Sequence, residues 1–228
     1  YQLDLEMSFV EQEDIFRVIE PIFYELFSKF GNGKTVNKNP FPKITYKDAL
    51  EKYGTDKPDL RNPIELVDVT NLFSSKEVNL KIFKEIIKKK GIVKAIPVKN
   101  TSSKPRSFFD NLNNWAIAEG ASGLAYITFE ENNGKFIGKG PISKFFSESA
   151  ISNLIKNCKL TSKDSVFFVC NNKEEATRFG GIARQKIAEE LNIIDNKKFS
   201  FCWIVDFPMY HYDEKEKKID FSHNPFSM

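Results

Sequence analysis

The sequence predicts a protein of mixed helices and strands in which one domain is inserted into another. Three observations carry this reading. Helical apolar spacing over residues 11–30 and 173–191 alternates with short apolar runs of strand length. The character of the chain changes around residues 74–78. From about residue 78 to 196 strands and helices alternate with apolar faces of their own, while the two flanks pair better with each other than with that stretch. Insertions enter at loops whose ends lie close together, so residues 1–77 and 197–228 are expected to form one domain and 78–196 the insert.

Each element follows from local pattern. Residues 1–9 alternate apolar and acidic side chains, which predicts a strand presenting Asp4 and Glu6 on one face. Residues 11–30 have helical spacing, with Glu11, Glu13 and Asp14 at the positive end of the helix dipole. Gly31 is expected to end that helix in a left-handed conformation, and Pro21 to kink or split it. A polar loop at 31–39 precedes a short strand and helix at 44–53. Residues 54–63, dense in turn formers and charge, predict an exposed ordered loop. Residues 66–73 alternate moderately, as a strand does.

In the insert, alternation at 78–82 predicts a strand, and 85–90 a brief basic helix closed by Gly91. A strand at 92–98 is followed by a helix capped by Ser103 or Ser107 and running to Glu119, with Gly120 after it. Residues 124–129 and 135–137 flank Asn132-Asn133-Gly134 as a hairpin. Ser147 caps a helix to about residue 157, 166–170 is a strand, and 173–191 a long helix. Residues 201–207 read as a buried strand ending at Pro208.

Composition narrows the function classes. A chain of 228 residues can bury a sizeable core. Its net charge of +3, from 34 basic and 31 acidic residues, is too balanced to mark a nucleic-acid binder by overall field. Cys158, Cys170 and Cys202 lack zinc-ligand spacing and an even count, which favours free thiols in a reducing cytoplasm over metal or disulfides. No apolar run is long enough to span a membrane. The chain starts without Met, inside a strand, and is expected to be an internal piece of a larger enzyme.

Several side chains can carry chemistry, each with a plainer alternative. Asp4 and Glu6 can bind a cation or ammonium, or form a solvated strand face. His223, followed by Asn224-Pro225, can donate to a carboxylate, or be a surface histidine. Asp206 ends an apolar strand, where it either binds a ligand or bonds the following turn. Lys88, Lys89 and Lys90 can touch phosphates or finish a helix. His211 reads as surface. Gly180-Gly181 lacks the spacing of a phosphate-binding loop.

Four motifs go further: YQLDLEMSF at 1–9, YGTDKPDLR at 53–61, WIVDFPM at 203–209 and HNPF at 223–226. In order and spacing they resemble bacterial-type aspartyl-tRNA synthetases across essentially the whole chain. The VKAIPV and GLAYITF segments at 93–98 and 123–129 resemble the GAD insertion domain, which those enzymes share with amidotransferase B subunits. The resemblance implies part of a class II antiparallel-sheet core interrupted by an α+β insert. It also implies a cytoplasmic ligase for aspartate, ATP and tRNA that uses Mg²⁺ and is a homodimer at full length, with the piece alone monomeric. Motif for motif, Asp4 matches the aspartate that receives the substrate ammonium, and Gln2 shares its face. Glu6 completes that face, and His223 matches the first histidine of a His-His-Pro-Phe segment contacting aspartate. Asn224 stands where many members have the second histidine. The motif-two arginine and motif three are not in these residues, so no catalytic or metal-binding residue is assigned and the piece is expected to be inactive alone. The alternative is a non-catalytic, tRNA-contacting GAD module as in amidotransferase B subunits.

Overall fold

A computed structural model describes residues 2–213 and 216–222 and resolves two compact units. One comprises Tyr1–Tyr46, Asp59–Asn62 and Ile194–Met228; the other comprises Lys47–Pro58 and Pro63–Ile193. The architecture is α+β.

The first unit is organised by helix α1 (Gln12–Phe30). Its start is capped by charge: the Glu11 backbone N–H donates to Asp14 Oδ2 at 3.0 Å. The helix runs through Pro21 without a break, so the expected split does not occur. Proline removes one hydrogen bond, but aromatic packing holds both halves. Phe16 stacks on Trp203 with centroids 4.2 Å apart, and Phe23 and Phe27 meet Phe201 at 5.4 and 4.8 Å. The buried Glu20 carboxylate accepts from Trp203 Nε1 at 2.8 Å. Gly31 is not left-handed (φ −78°); glycine is needed because a Cβ would collide with the Phe27 carbonyl oxygen.

Two short strand pairs join residues 35–45 to residues 198–205. The loop at 31–39 contains β1 (Thr35–Val36), and β2 (Lys43–Thr45) leads into α2 (Tyr46–Tyr53). From the far end of the chain, Lys198–Phe199 lies parallel to β1 and Trp203–Val205 parallel to β2. The buried strand expected over 201–207 shortens to those three residues and is only half-buried, because its sheet has two strands and open edges. Tyr210–Asp213 and Lys218–Phe221 form an antiparallel pair that sets exposed His211 opposite Asp220.

The opening strand does not form. Residues 2–7 are exposed and carry no strand, since no neighbour among the described residues offers them a ladder.

The second unit is built on an antiparallel sheet of five strands: β3 (Val67–Asp68), β4 (Ile92–Val98), β5 (Ala125–Asn132), β6 (Lys135–Lys139) and β7 (Ser165–Asn171), in the order β3-β4-β7-β5-β6. Numbering continues in chain order, so the two far-end strands named above are β8 (Lys198–Phe199) and β9 (Trp203–Val205). Central β7 is covered on both faces. Val166 and Phe168 join one core with Leu72 and Phe73 of α3 (Thr70–Ser74) and with Ala150, Ile151 and Leu154 of α6 (Glu148–Cys158). Phe167 points the other way, 5.6 Å from Phe109 of α5 (Arg106–Ala118). Beside α5 lies α7 (Lys173–Glu190), where Phe179 stacks on Trp115.

Two expectations fail here for one reason, that two or three alternating residues cannot distinguish periods 2 and 3.6. Residues 66–73 give only β3 before turning into α3. Residues 78–82 give a single bridge from Val78 to Phe146 and then α4 (Lys81–Lys88), which sets Leu80, Phe83 and Ile87 on one face of the core. The loop at 54–63 is mostly half-buried, with Asn62 buried. One cap assignment changes, since Pro105 precedes α5 without a side-chain cap; Gly91 closes α4 as expected, its N–H donating to the Ile86 carbonyl at 2.9 Å behind left-handed Lys90 (φ 65°). Ser147 caps α6 as expected, its Oγ accepting from Ala150 N–H at 3.1 Å. Asn133 and Gly134 both have positive φ, as a tight hairpin requires.

Candidate functional site

Of the residues expected to receive substrate, the structure brings two together. Gln2 Nε2 donates to Asp4 Oδ1 at 2.8 Å, so the amide fixes one carboxylate oxygen and leaves the other to solvent. Gln2, Asp4 and Glu6 are all exposed. His223 and Asn224 lie outside the described residues. Asp206 is exposed at φ +58° after β9, and Lys88, Lys89 and Lys90 are exposed at the end of α4.

The segment at 53–61 is held more tightly than its turn-rich composition suggests. In the second unit, Gly54 (φ +73°) packs against α7. A Cβ there would sit 2.5 Å from Gly181 N and from the Thr177 carbonyl oxygen, and one at Gly181 would sit 2.8 Å from the Tyr53 and Gly54 carbonyl oxygens. Gly180-Gly181 is therefore a docking face for this loop. Arg184, one turn on and 2% exposed, donates from Nε to the Ile64 carbonyl and lies over the Tyr53 ring at 5.0 Å. In the first unit, Asp59 grips Arg61 with both carboxylate oxygens, at 2.9 and 2.8 Å. That pairing raises the Arg61 pKa. Sequence reading missed Arg184; the signal was an arginine amid the apolar positions 176, 180, 183 and 187 of one helix face.

The remaining reactive types have ordinary roles. Burial pushes the Cys158 and Cys170 thiols up to about 12 and raises Cys202, so none is a thiolate at neutral pH. Among the described residues no three His, Cys, Asp or Glu side chains converge as metal ligands. A 40 Å³ cavity beside Gly120, Cys170 and the Glu175–Arg178 pair has room for water, not for a nucleotide. No described helix is long and apolar enough to cross a membrane.

The family described as tRNA synthetases class II (D, K and N) matches residues 1–228, the whole chain. The chain belongs to the class II tRNA synthetases. Among its relatives, the aspartate–tRNA(Asp/Asn) ligase of Methylorubrum populi is 52% identical over 228 residues. Those of Ehrlichia chaffeensis and Pelagibacter ubique are 52% and 47% identical over the same length. Each match takes in 100% of this chain and 38% of the relative. This synthetase chain thus spans 38% of the length of the curated relatives it matches.

The five arginines here are all engaged. Arg17 faces Asp14, Arg61 faces Asp59, Arg106 faces Asp110, Arg178 faces Glu175, and Arg184 is buried against Ile64 and Tyr53.

Proposed function

We propose that this chain is part of an aspartate–tRNA ligase, which joins aspartate to ATP as aspartyl-adenylate and then passes the aspartyl group to the terminal ribose of tRNA. The observation that carries the reading is identity near 50% over all 228 residues with ligases of that name. The match takes in both flanks as well as the middle, which favours the ligase over a free-standing tRNA-contacting module sharing only the insert. Those relatives are named for both aspartate and asparagine tRNA, and we extend both tRNAs to this protein.

Within the site, Asp4 receives the substrate ammonium, a charge-assisted pairing that Gln2 orients through its 2.8 Å hydrogen bond. Glu6 lies beside it, and His223, with neutral Asn224 next to it, contacts the substrate. Among the described residues no metal-ligand cluster forms, and no residue is assigned to ATP or Mg²⁺. ATP and Mg²⁺ are the cofactors of the full-length enzyme, and the segment alone is inactive. Residues 78–196 are the inserted domain between catalytic segments 1–77 and 197–228; the β1·β8 and β2·β9 pairings join residues 35–45 to 198–205, while residues 47–58 and 63–77 share a compact unit with the insert. The protein acts as a homodimer in the cytoplasm. The test is aminoacylation of aspartate and asparagine tRNA by the full-length protein: both are charged with aspartate, and failure on both refutes the ligase reading.

A further inference from the structure

The modest net charge of the chain conceals a concentrated basic surface. Residues 99–107 and 156–164 hold six cations (Lys99, Lys104, Arg106, Lys156, Lys159 and Lys163) against Asp164 alone. These 18 residues carry +5 in a chain whose total is +3, so the remainder is net acidic. The fold brings the two segments to one end of the five-stranded sheet. Residue 99 follows the end of β4, residue 164 precedes β7, and Val98 pairs with Ser165.

The two loops are knit together by hydrogen bonds. Asp164, 1% exposed, accepts from Asn100 N–H at 2.9 Å, Thr161 N–H at 2.7 Å and Lys99 Nζ at 3.0 Å. Ser102 N–H donates to the Lys163 carbonyl at 2.9 Å, and the buried Thr101 and Ser165 hydroxyls lie 2.6 Å apart. On this platform all six cations are exposed. Among the described residues Lys104, Lys156, Lys159 and Lys163 form no ion pair, whereas Lys99 pairs with Asp164 and Arg106 with Asp110.

Helix electrostatics explain only part of this. Lys156 and Lys159 lie at the C-terminal end of α6, where cations are favoured. Lys104 and Arg106 lie at the N-terminal end of α5, where the dipole disfavours cations and where no acidic residue offsets them in the first turn. Stability alone would not choose that arrangement. Exposed hydroxyl and amide groups, Asn100, Ser103, Ser107 and Thr161, are interspersed with the cations. Lysine, arginine, serine, threonine and asparagine are the side chains that contact phosphate oxygens. Exposed aromatic rings for base stacking are absent from these two segments; Phe108 is half-buried under Lys104.

We infer that this end of the second unit, centred on Lys104, Lys159 and Lys163, is a sequence-independent docking surface for the phosphate backbone of RNA. The inference rests on the ligase reading for its partner, tRNA, and not for its geometry.

The test is tRNA binding to the full-length protein by fluorescence anisotropy across a salt series, with the triple charge reversal Lys104→Glu/Lys159→Glu/Lys163→Glu. Binding at moderate salt weakens about tenfold or more, and the slope of log affinity against log salt falls by about two to three, near one per lost phosphate contact. Aspartate-dependent ATP–pyrophosphate exchange, which needs no tRNA, stays unchanged. The milder triple Lys→Gln variant shifts the slope in the same direction if the reversal unfolds the unit. Reversal of Lys88, Lys89 and Lys173, at the opposite end of the sheet, leaves binding within about twofold. An unchanged slope in the first variants, or an equal loss in the control, overturns the docking surface. Wild-type protein that binds tRNA through this surface but supports no exchange would instead count against the ligase.

Discussion

Asp164 shows how a single buried charge shapes a surface. Burial by itself raises its pKa, but the N–H groups of Asn100 and Thr161 and the Lys99 ammonium together outweigh that and hold the carboxyl below its ordinary value. The sign follows from linkage: a carboxyl depressed in the folded state contributes stability above the ordinary carboxylate pKa, near ~4, and loses it as pH falls through the depressed value. The melting temperature should be flat in this respect from neutral pH to about 5 and fall below about 4. Asp164→Asn should lose part of that acid dependence and cost about 1–3 kcal/mol at neutral pH, because one N–H donor then faces an amide donor. Thermal melts across pH would decide it; an acid limb identical in the variant would count against this role. At Asp4 the expected effect is on substrate, not stability. Asp4→Asn in the full-length protein should raise KM for aspartate by about tenfold or more, with little change in melting temperature, since the side chain is exposed and its loss removes a charge-assisted contact. An unchanged KM would remove Asp4 from the site. The cysteines offer a third check. All three should resist alkylation at neutral pH in the native protein and react on unfolding, because burial keeps them protonated.

Among the elements, contact between α7 and the loop after α2 is the most exacting. Gly54 and Gly181 bring two backbones so close that a methyl group at either meets backbone atoms rather than yielding side chains. Gly181→Ala should destabilise the second unit by about 1–3 kcal/mol, and Gly54→Ala by more, because its φ of +73° adds backbone strain. Denaturant midpoints would measure both, and a neutral Gly181→Ala would mean that the loop is free to move away. The same elements show what a sequence discloses. Long periodic stretches such as α1 and α7, the hairpin at Asn133-Gly134 and the Ser147 cap were legible because their signals are local and repeated. Residues 78–82 misled because three alternating apolar positions fit a strand and a helix alike, and only the core under Leu80, Phe83 and Ile87 chooses between them. The opening strand misled for a different reason: its alternation is clear, but a strand exists only with a hydrogen-bonded neighbour. Of the candidate site, only the nearness of Gln2 to Asp4 was legible, since the strand face on which it was read does not form. The basic platform was not, because its two loops are joined by β4–β7 pairing and the charges cancel in the total.

For the whole molecule, family membership and chemistry stand on different grounds. The class II match covers every residue of the chain, and the family description groups the D, K and N enzymes, whose substrates differ in charge at the side chain. The aspartate reading therefore rests on discrimination among three amino acids that one shared core serves. The most direct measurement is ATP–pyrophosphate exchange by the full-length protein with aspartate, asparagine or lysine as sole amino acid. Exchange with aspartate alone is the predicted result. Exchange driven by asparagine or lysine, and not by aspartate, would contradict it.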